Sequence, residues 1–219
     1  MIRLAGLGAG GHARVVIDAL QLLGGYQIQL LDQNPSTWGE TVLGAPVLGG
    51  DSLLPELFSD GIRAGFVGVG GVRNNAPRRR LFEMLRDHGF DVIRITHPQA
   101  CVARAVEIGC GTVIMAGAIV NVSVHIGSNV LINTGAIVEH DCQLGDHVHV
   151  ATGARLAGGV RVLSGAHIGI GASVLQKITI GENAVIGAGS VVLRDVPDGT
   201  VVVGIPGREI PGRSVDDKY

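Results

Sequence analysis

The sequence predicts two architectures in one chain: an α/β Rossmann-like module over residues 1–98 and an all-β left-handed parallel β-helix over residues 99–198, with 199–219 as a C-terminal tail. Three observations carry this. An aliphatic residue returns at every sixth position from Val102 to Val192, a glycine-rich turn follows the first apolar strand, and the hydrophobic period changes near residue 100.

The first ~95 residues alternate strand-like and helix-like segments, which argues for a small parallel sheet with crossover helices. Residues 2–6 read as a short apolar strand, and residues 6–12 as a turn. Val16, Ile17, Leu20 and Leu23 lie at helical spacing over 13–23. Residues 28–32 form a second strand ending in an acid, and 64–70 a buried parallel one. Residues 78–88 form a helix with Leu81, Phe82 and Leu85 inward, and 92–95 a further strand.

Written in sixes from Val102, the first letters run Val102, Ile108, Ile114, Val120, Ile126, Ile132, Val138, Leu144 and so on to Val192, all sixteen aliphatic. The fifth letters are mostly small, among them Ala118, Ala136, Cys142, Ala154, Ala166 and Ala184. Each six is a short strand plus a turn, and three make one triangular coil of 18 residues, stacked at roughly 4.8 Å. The aliphatic letter points inward and the small one sits by a crowded corner, so the repeat is expected to run unbroken over 102–197. Its left-handedness follows known hexapeptide-repeat proteins, because the right-handed crossover rule alone would not predict it.

Composition narrows the function. A net charge of -2 supplies no field toward nucleic acid or anionic membrane, and 3% aromatics leave little platform for stacking single strands. Cys101, Cys110 and Cys142 form no CxxC pair, so neither a zinc site nor a disulfide framework is expected. No run reaches the ~18–20 apolar residues of a membrane span, and no basic-then-apolar leader opens the chain, so a soluble cytoplasmic protein is expected.

Two regions carry candidate chemistry. The turn Gly6-x-Gly8-x-x-Gly11 follows a strand and opens a helix, where backbone N–H groups can hold a diphosphate; a tight β–α turn without ligand is the bland alternative. Asp32 ends the second strand, where an acid can meet a ribose or base, and ~95 residues suit a mononucleotide or nucleotide sugar better than a dinucleotide. His12 lies in the same turn. In the β-helix, His140 stands beside Asp141, so an imidazole general base with a carboxylate partner is one reading and an exposed turn histidine the other. His149 and His167 are 18 residues apart and stack on one corner. Gly158 follows His140 by 18 and stands directly above it. Cys142 occupies an inward position, which favours a buried thiol and direct transfer over a covalent acyl-enzyme.

The glycine turn, the hexapeptide domain, the stretch Asn133-Thr134-Gly135-Ala136-Ile137-Val138-Glu139-His140-Asp141 and the ending Gly204-Ile205-Pro206-Gly207-Arg208 together resemble the NeuD/PglD family of sugar acetyltransferases across essentially the whole chain. Asp141 stands where some members have Glu, and Gly207 where Ala is usual. The resemblance implies an acetyl-CoA-dependent N-acetyltransferase acting on the 4-amino group of a nucleotide-linked 4-amino-4,6-dideoxy sugar, in glycoprotein glycan, O-antigen or capsule synthesis. It implies His140 as base, Asp141 tuning it, Asn133 positioning the amine or His140, and Gly158 giving an N–H to the oxyanion. His149, Gly158, Ile170, Ala188, Gly204 and Pro206 would meet acetyl-CoA. Gly10, Gly11, His12, Asp32, Gln33 and Gly70 would hold the nucleotide sugar. Many UDP-sugar members carry two acids where this chain has Asp32-Gln33, so both UDP- and GDP-linked sugars are open. A homotrimer with active sites between subunits is implied, with no metal. The alternatives are O-acetylation of a sugar such as sialic acid, a zinc lyase of the γ-carbonic-anhydrase type, and a non-catalytic nucleotide-binding protein.

Overall fold

The computed structural model describes residues 1–71 and 74–211. Residues 212–219, the end of the expected tail, lie outside the described residues.

The N-terminal module is a six-stranded sheet. Its elements are β1 (Ile2–Leu7), α1 (Gly11–Leu23), β2 (Tyr26–Leu31), β3 (Thr41–Val42), β4 (Ala45–Gly49), α2 (Leu54–Ser59), β5 (Ala64–Val67), α3 (Ala76–Asp87) and β6 (Asp91–Val92). The strand order is β3-β4-β2-β1-β5-β6, parallel except for β3 against β4. Chain order reverses between β1 and β5, so a crevice for ligand opens at their carboxyl ends. One face packs α1 through Ala13, Val16, Ile17 and Leu20. The other packs α2 and α3 through Leu54, Leu57, Leu81, Phe82 and Leu85.

The β-helix has three parallel faces. The first runs from Ile95–Thr96 to Val201–Val203, the second from Cys101–Val102 to Val191–Val192, the third from Glu107–Ile108 to Thr179–Ile180. The stretch 92–95 is therefore not one strand. Val92 ends the N-terminal sheet, and Ile95 starts the first face of the β-helix. Successive coils pair at 18 residues, as in Ile119↔Ile137 and Ile137↔Arg155. The inward aliphatic letters and the small fifth letters form one continuous core. Most corners carry a left-handed residue. Gly117, Gly135, Gly153, Gly171 and Gly189 form a column at the corner after the first face, with φ of 65 to 68°.

The expected unbroken run to 197 is corrected at its end. Val185 pairs with Val201 and Ile186 with Val202, a separation of 16 residues, so the last coil is two residues short. The Val196 carbonyl serves the Gly181 N–H, and the Asp195 carboxylate takes the Thr179 N–H at 2.8 Å in its place. A side chain replaces the missing backbone acceptor, which lets the corner tighten.

The two modules share a core. Ile95, Val113, Met115 and Leu131 of the first face pack with residues of α1 and β1. Arg78, 2% exposed, spans the junction. Its guanidinium donates to the carbonyls of Val67 and Val69 on one side, at 3.2 and 3.0 Å, and to Gly111 on the other at 3.3 Å. Burial lowers its pKa to about 10, so it stays a cation at neutral pH. Asn75 adds bonds to the carbonyls of His147, Gly165 and Ala166.

Candidate active site

The His140–Asp141 pair arises from backbone conformation. On a strand, neighbouring side chains face oppositely. Asp141 instead adopts φ 61° at the corner after the second face, and its Oδ2 comes to 2.8 Å from His140 Nδ1. A carboxylate only accepts, so Nδ1 carries the proton and the Nε2 lone pair is free to act as a base. Both side chains are more than half exposed.

The ring lies against the next coil. A Cβ built on Gly158 would stand 2.6 Å from both Cε1 and Nε2 of His140. Gly159 N–H bonds the His140 carbonyl at 2.8 Å and fixes the stacking. Gly158 N–H itself has no hydrogen-bond partner among the described residues. Cys142 is fully buried behind this corner. Burial, outweighing hydrogen bonds from the backbone, pushes its thiol up to about 11, so it is protonated and shielded.

A second group sits on the first face. There the outward letters are covered by the N-terminal module, so His149 and His167 are buried at 5% and 6% exposure, whereas His125 on the third face is open. Their rings meet edge to face at 4.8 Å. Burial first, then His167 and the Arg78 cation, hold His149 well below the usual imidazole range. Asn133 Nδ2 approaches His149 Nε2 at 3.4 Å, while Asn133 Oδ1 accepts the Thr134 N–H at 2.8 Å. A cleft of about 420 Å³ brings together His12, Gly70, Asn133, His149, Thr152 and Ile170. Ile170 is 61% exposed, and Ala188 stands one coil above it on the same corner. Gly204 and Pro206 follow the last coil, and the Ile205–Pro206 bond is cis. At Gly207 a Cβ would stand 2.9 Å from Val202 Cγ1 and 3.1 Å from the Val191 carbonyl, so the departure from Ala suits this packing.

The six residues expected at the nucleotide separate. Asp32 and Gln33 line a cavity of about 260 Å³ at the sheet's carboxyl edge, with Gly8, Val69 and Arg80. His12 and Gly70 line the cleft toward the β-helix instead, with the Gly70 Cβ position 3.5 Å from the His12 ring. Burial and the nearby Arg78 lower the pKa of His12 to about 3, and its Nε2 is buried without a partner. Gly10 and Gly11, at the N-terminus of α1, line neither cavity, and a Cβ at either meets nothing within 4 Å. Gly6 and Gly8 have a different reason: Phe66 and Val69 side chains fill the space that a Cβ would need.

Within one chain the residues expected to be catalytic or to bind acetyl-CoA occupy two corners. Asn133, Ile170 and Ala188 follow the first face, whereas His140, Asp141 and Gly158 follow the second. The sequence does not mark Arg78 as a junction residue. Its only signal, a basic residue at an inward position of α3, gains meaning once the junction is seen. Among the described residues no group of three His, Cys, Asp or Glu is arranged to hold a metal, and no helix is long and apolar enough to cross a membrane.

Comparison with known proteins places this geometry. Residues 3–85 match the PglD N-terminal domain, and residues 123–158 and 159–194 match the bacterial transferase hexapeptide repeat. The structure superposes with a TM-score of 0.88 on PerB from Caulobacter crescentus in complex with CoA and GDP-perosamine, at 40% identity, covering 94% of this chain and 96% of that one. The chain belongs to the NeuD/PglD family of sugar N-acetyltransferases. The acetyltransferase domain of PglB from Neisseria gonorrhoeae, in complex with acetyl coenzyme A, is 38% identical over 95% of this chain and 98% of that one, with a TM-score of 0.86. A histidine-to-alanine variant of the Caulobacter GDP-perosamine N-acetyltransferase also holds CoA and GDP-perosamine, and matches at 39% identity over 94% of this chain and 96% of that one, with a TM-score of 0.89. No curated protein sequence matches the chain. This NeuD/PglD member is an acetyltransferase, with a Rossmann-like domain followed by a left-handed β-helix.

Proposed function

We propose that the enzyme transfers the acetyl group of acetyl-CoA directly to the 4-amino group of a nucleotide-linked 4-amino-4,6-dideoxy sugar, with His140 as general base. The observation that carries this is the His140 ring, anchored at Nδ1 by Asp141 and laid with Nε2 over the unobstructed Gly158 backbone. The amine attacks the thioester carbonyl carbon, and Nε2 takes the amine proton. Charge develops on the carbonyl oxygen, which the Gly158 N–H meets. The C–S bond then breaks, and CoA leaves as a thiol after taking a proton.

Substrates span the features in order. The nucleotide occupies the cavity of Asp32 and Gln33, and its phosphates pass the α1 N-terminus at Gly10 and Gly11, where backbone N–H groups favour anions. The sugar reaches the cleft of His12, Gly70 and Asn133. The pantetheine arm lies along Ile170 and Ala188 toward Gly204 and Pro206, with the thioester near His149, a neutral imidazole suited to hydrogen bonding. Because His140 stands on another corner than this cleft, the site is completed by a second copy, and a cyclic trimer closes the arrangement. The work is done in the cytoplasm, a reading that free thiols at Cys101, Cys110 and Cys142 support.

The test is CoA release from acetyl-CoA with nucleotide-linked 4-amino sugars and, in parallel, with sialic acid. Release with the amino sugar alone is expected, and release only with the hydroxyl acceptor would contradict the reading. In the same assay Cys142→Ala should keep turnover within about threefold of the parent, because a thiol raised to about 11 inside the core forms no acyl-enzyme. A much larger loss would return Cys142 to the reaction.

A further inference from the structure

The cavity at the carboxyl edge of the sheet has a polar wall that the glycine turn does not account for. Its charged and amide side chains are Asp32, Gln33, Asp51 and Arg80. Asp32 is already engaged: Oδ2 accepts the Ala9 N–H at 2.6 Å and Oδ1 the Asn34 N–H at 2.8 Å. It ties the glycine turn to the end of β2. Asp51, the residue that follows β4 by two, is held differently. Its Oδ2 accepts from Gln33 Nε2 at 2.8 Å, and its Oδ1 takes part in no hydrogen bond among the described residues. The amide fixes the carboxylate and leaves one edge of it for a ligand.

We propose that this cavity selects guanine, with the Asp51 carboxylate as the specificity-determining group and Arg80 as its complement. The proposal rests on the nucleotide-sugar reading above and names its base. A carboxylate only accepts hydrogen bonds. Guanine alone among the common bases offers two adjacent donors, N1–H and the N2 amino group, on one edge. Uracil and thymine present a single N–H flanked by two carbonyl oxygens, which a carboxylate repels. Adenine and cytosine present an amino group beside a bare ring nitrogen. Guanine also carries O6 and N7, the acceptor pair that a guanidinium reads. A wall with a fixed carboxylate and a guanidinium therefore matches both polar edges of guanine and neither uracil nor thymine. Asp32 sits nearer the turn, at the end of β2, where a ribose follows the phosphates.

Titration calorimetry of the intact enzyme with GDP, UDP, dTDP, ADP and CDP tests this, with acetyl-CoA titrated in parallel. GDP is expected to bind on the order of 10–100-fold tighter than the others. Asp51→Asn should weaken GDP about tenfold or more and leave acetyl-CoA affinity unchanged. Arg80→Gln, at an exposed helix position, should weaken GDP without lowering the thermal midpoint. UDP or dTDP binding as tightly as GDP overturns the proposal, as does unchanged GDP affinity in Asp51→Asn. Failure of every nucleotide with acetyl-CoA binding intact overturns it as well, and leaves the transferase reading standing. GDP preference without acetyl-CoA binding supports it and removes the transferase reading.

Discussion

His140→Ala should lower kcat by about 10²–10⁴-fold, the worth of a positioned general base, while acetyl-CoA affinity and thermal midpoint stay at the parent values. The side chain is more than half exposed, so its removal leaves no cavity in the core. Asp141→Asn should fall between parent and His140→Ala. An amide can donate to Nδ1, which would shift the proton to Nε2 and remove the base's lone pair. Stopped-flow or steady-state release of CoA, with acetyl-CoA binding measured separately, decides the matter. Turnover within tenfold of the parent in His140→Ala would remove the histidine from the chemistry.

The second large effect is expected at Gly158. It has an ordinary φ, so alanine brings no backbone strain. The new methyl would stand 2.6 Å from the reactive edge of His140, and the ring must move out. A displacement near 1 Å costs about 10²-fold in rate, and the methyl also crowds the N–H assigned to the oxyanion. Gly159→Ala is the natural control. Its φ of 69° makes alanine strained, by about 1 kcal/mol, yet a Cβ there meets only Lys177 Cγ at 3.5 Å. Gly158→Ala should therefore lose rate and keep its thermal midpoint, and Gly159→Ala should do the reverse. Loss of stability without loss of rate in Gly158→Ala would mean that the His140 contact is not catalytic.

These predictions show which parts of the molecule are legible in one dimension. The 18-residue arithmetic placed Gly158 over His140 and put Cys142 inside, because both follow from a strict period and an inward aliphatic letter. The same arithmetic failed over the last coil, where Asp195 substitutes for a backbone acceptor and shortens the path by two residues. A side chain standing in for backbone leaves no mark on the hydrophobic pattern. The junction between modules was invisible for a related reason. Packing of α1 on the first face, and of α3 on the corner before it, has no period, so neither the burial of His149 nor the bridging role of Arg78 is legible. His12 shows the same limit: its place in a glycine turn suggested the nucleotide, and only tertiary packing turns its ring toward Asn133 and His149. The left-handed φ of Asp141, by contrast, was half legible, since an Asp at a corner position tolerates that conformation.

In the proposed mechanism, transfer occurs at a site completed by a second copy, with His140 from one chain and the Asn133–Ile170 cleft from its neighbour. The direct measurement co-expresses His140→Ala and Ile170→Glu chains, each expected to be inactive alone, on different tags, and isolates the doubly tagged assembly. In the proposed cyclic trimer, whichever variant is in the majority, one of three sites stays intact, so about one third of parental turnover per assembly is expected. Activity no higher than that of the two single-variant preparations would contradict the shared site and return the whole reaction to one chain.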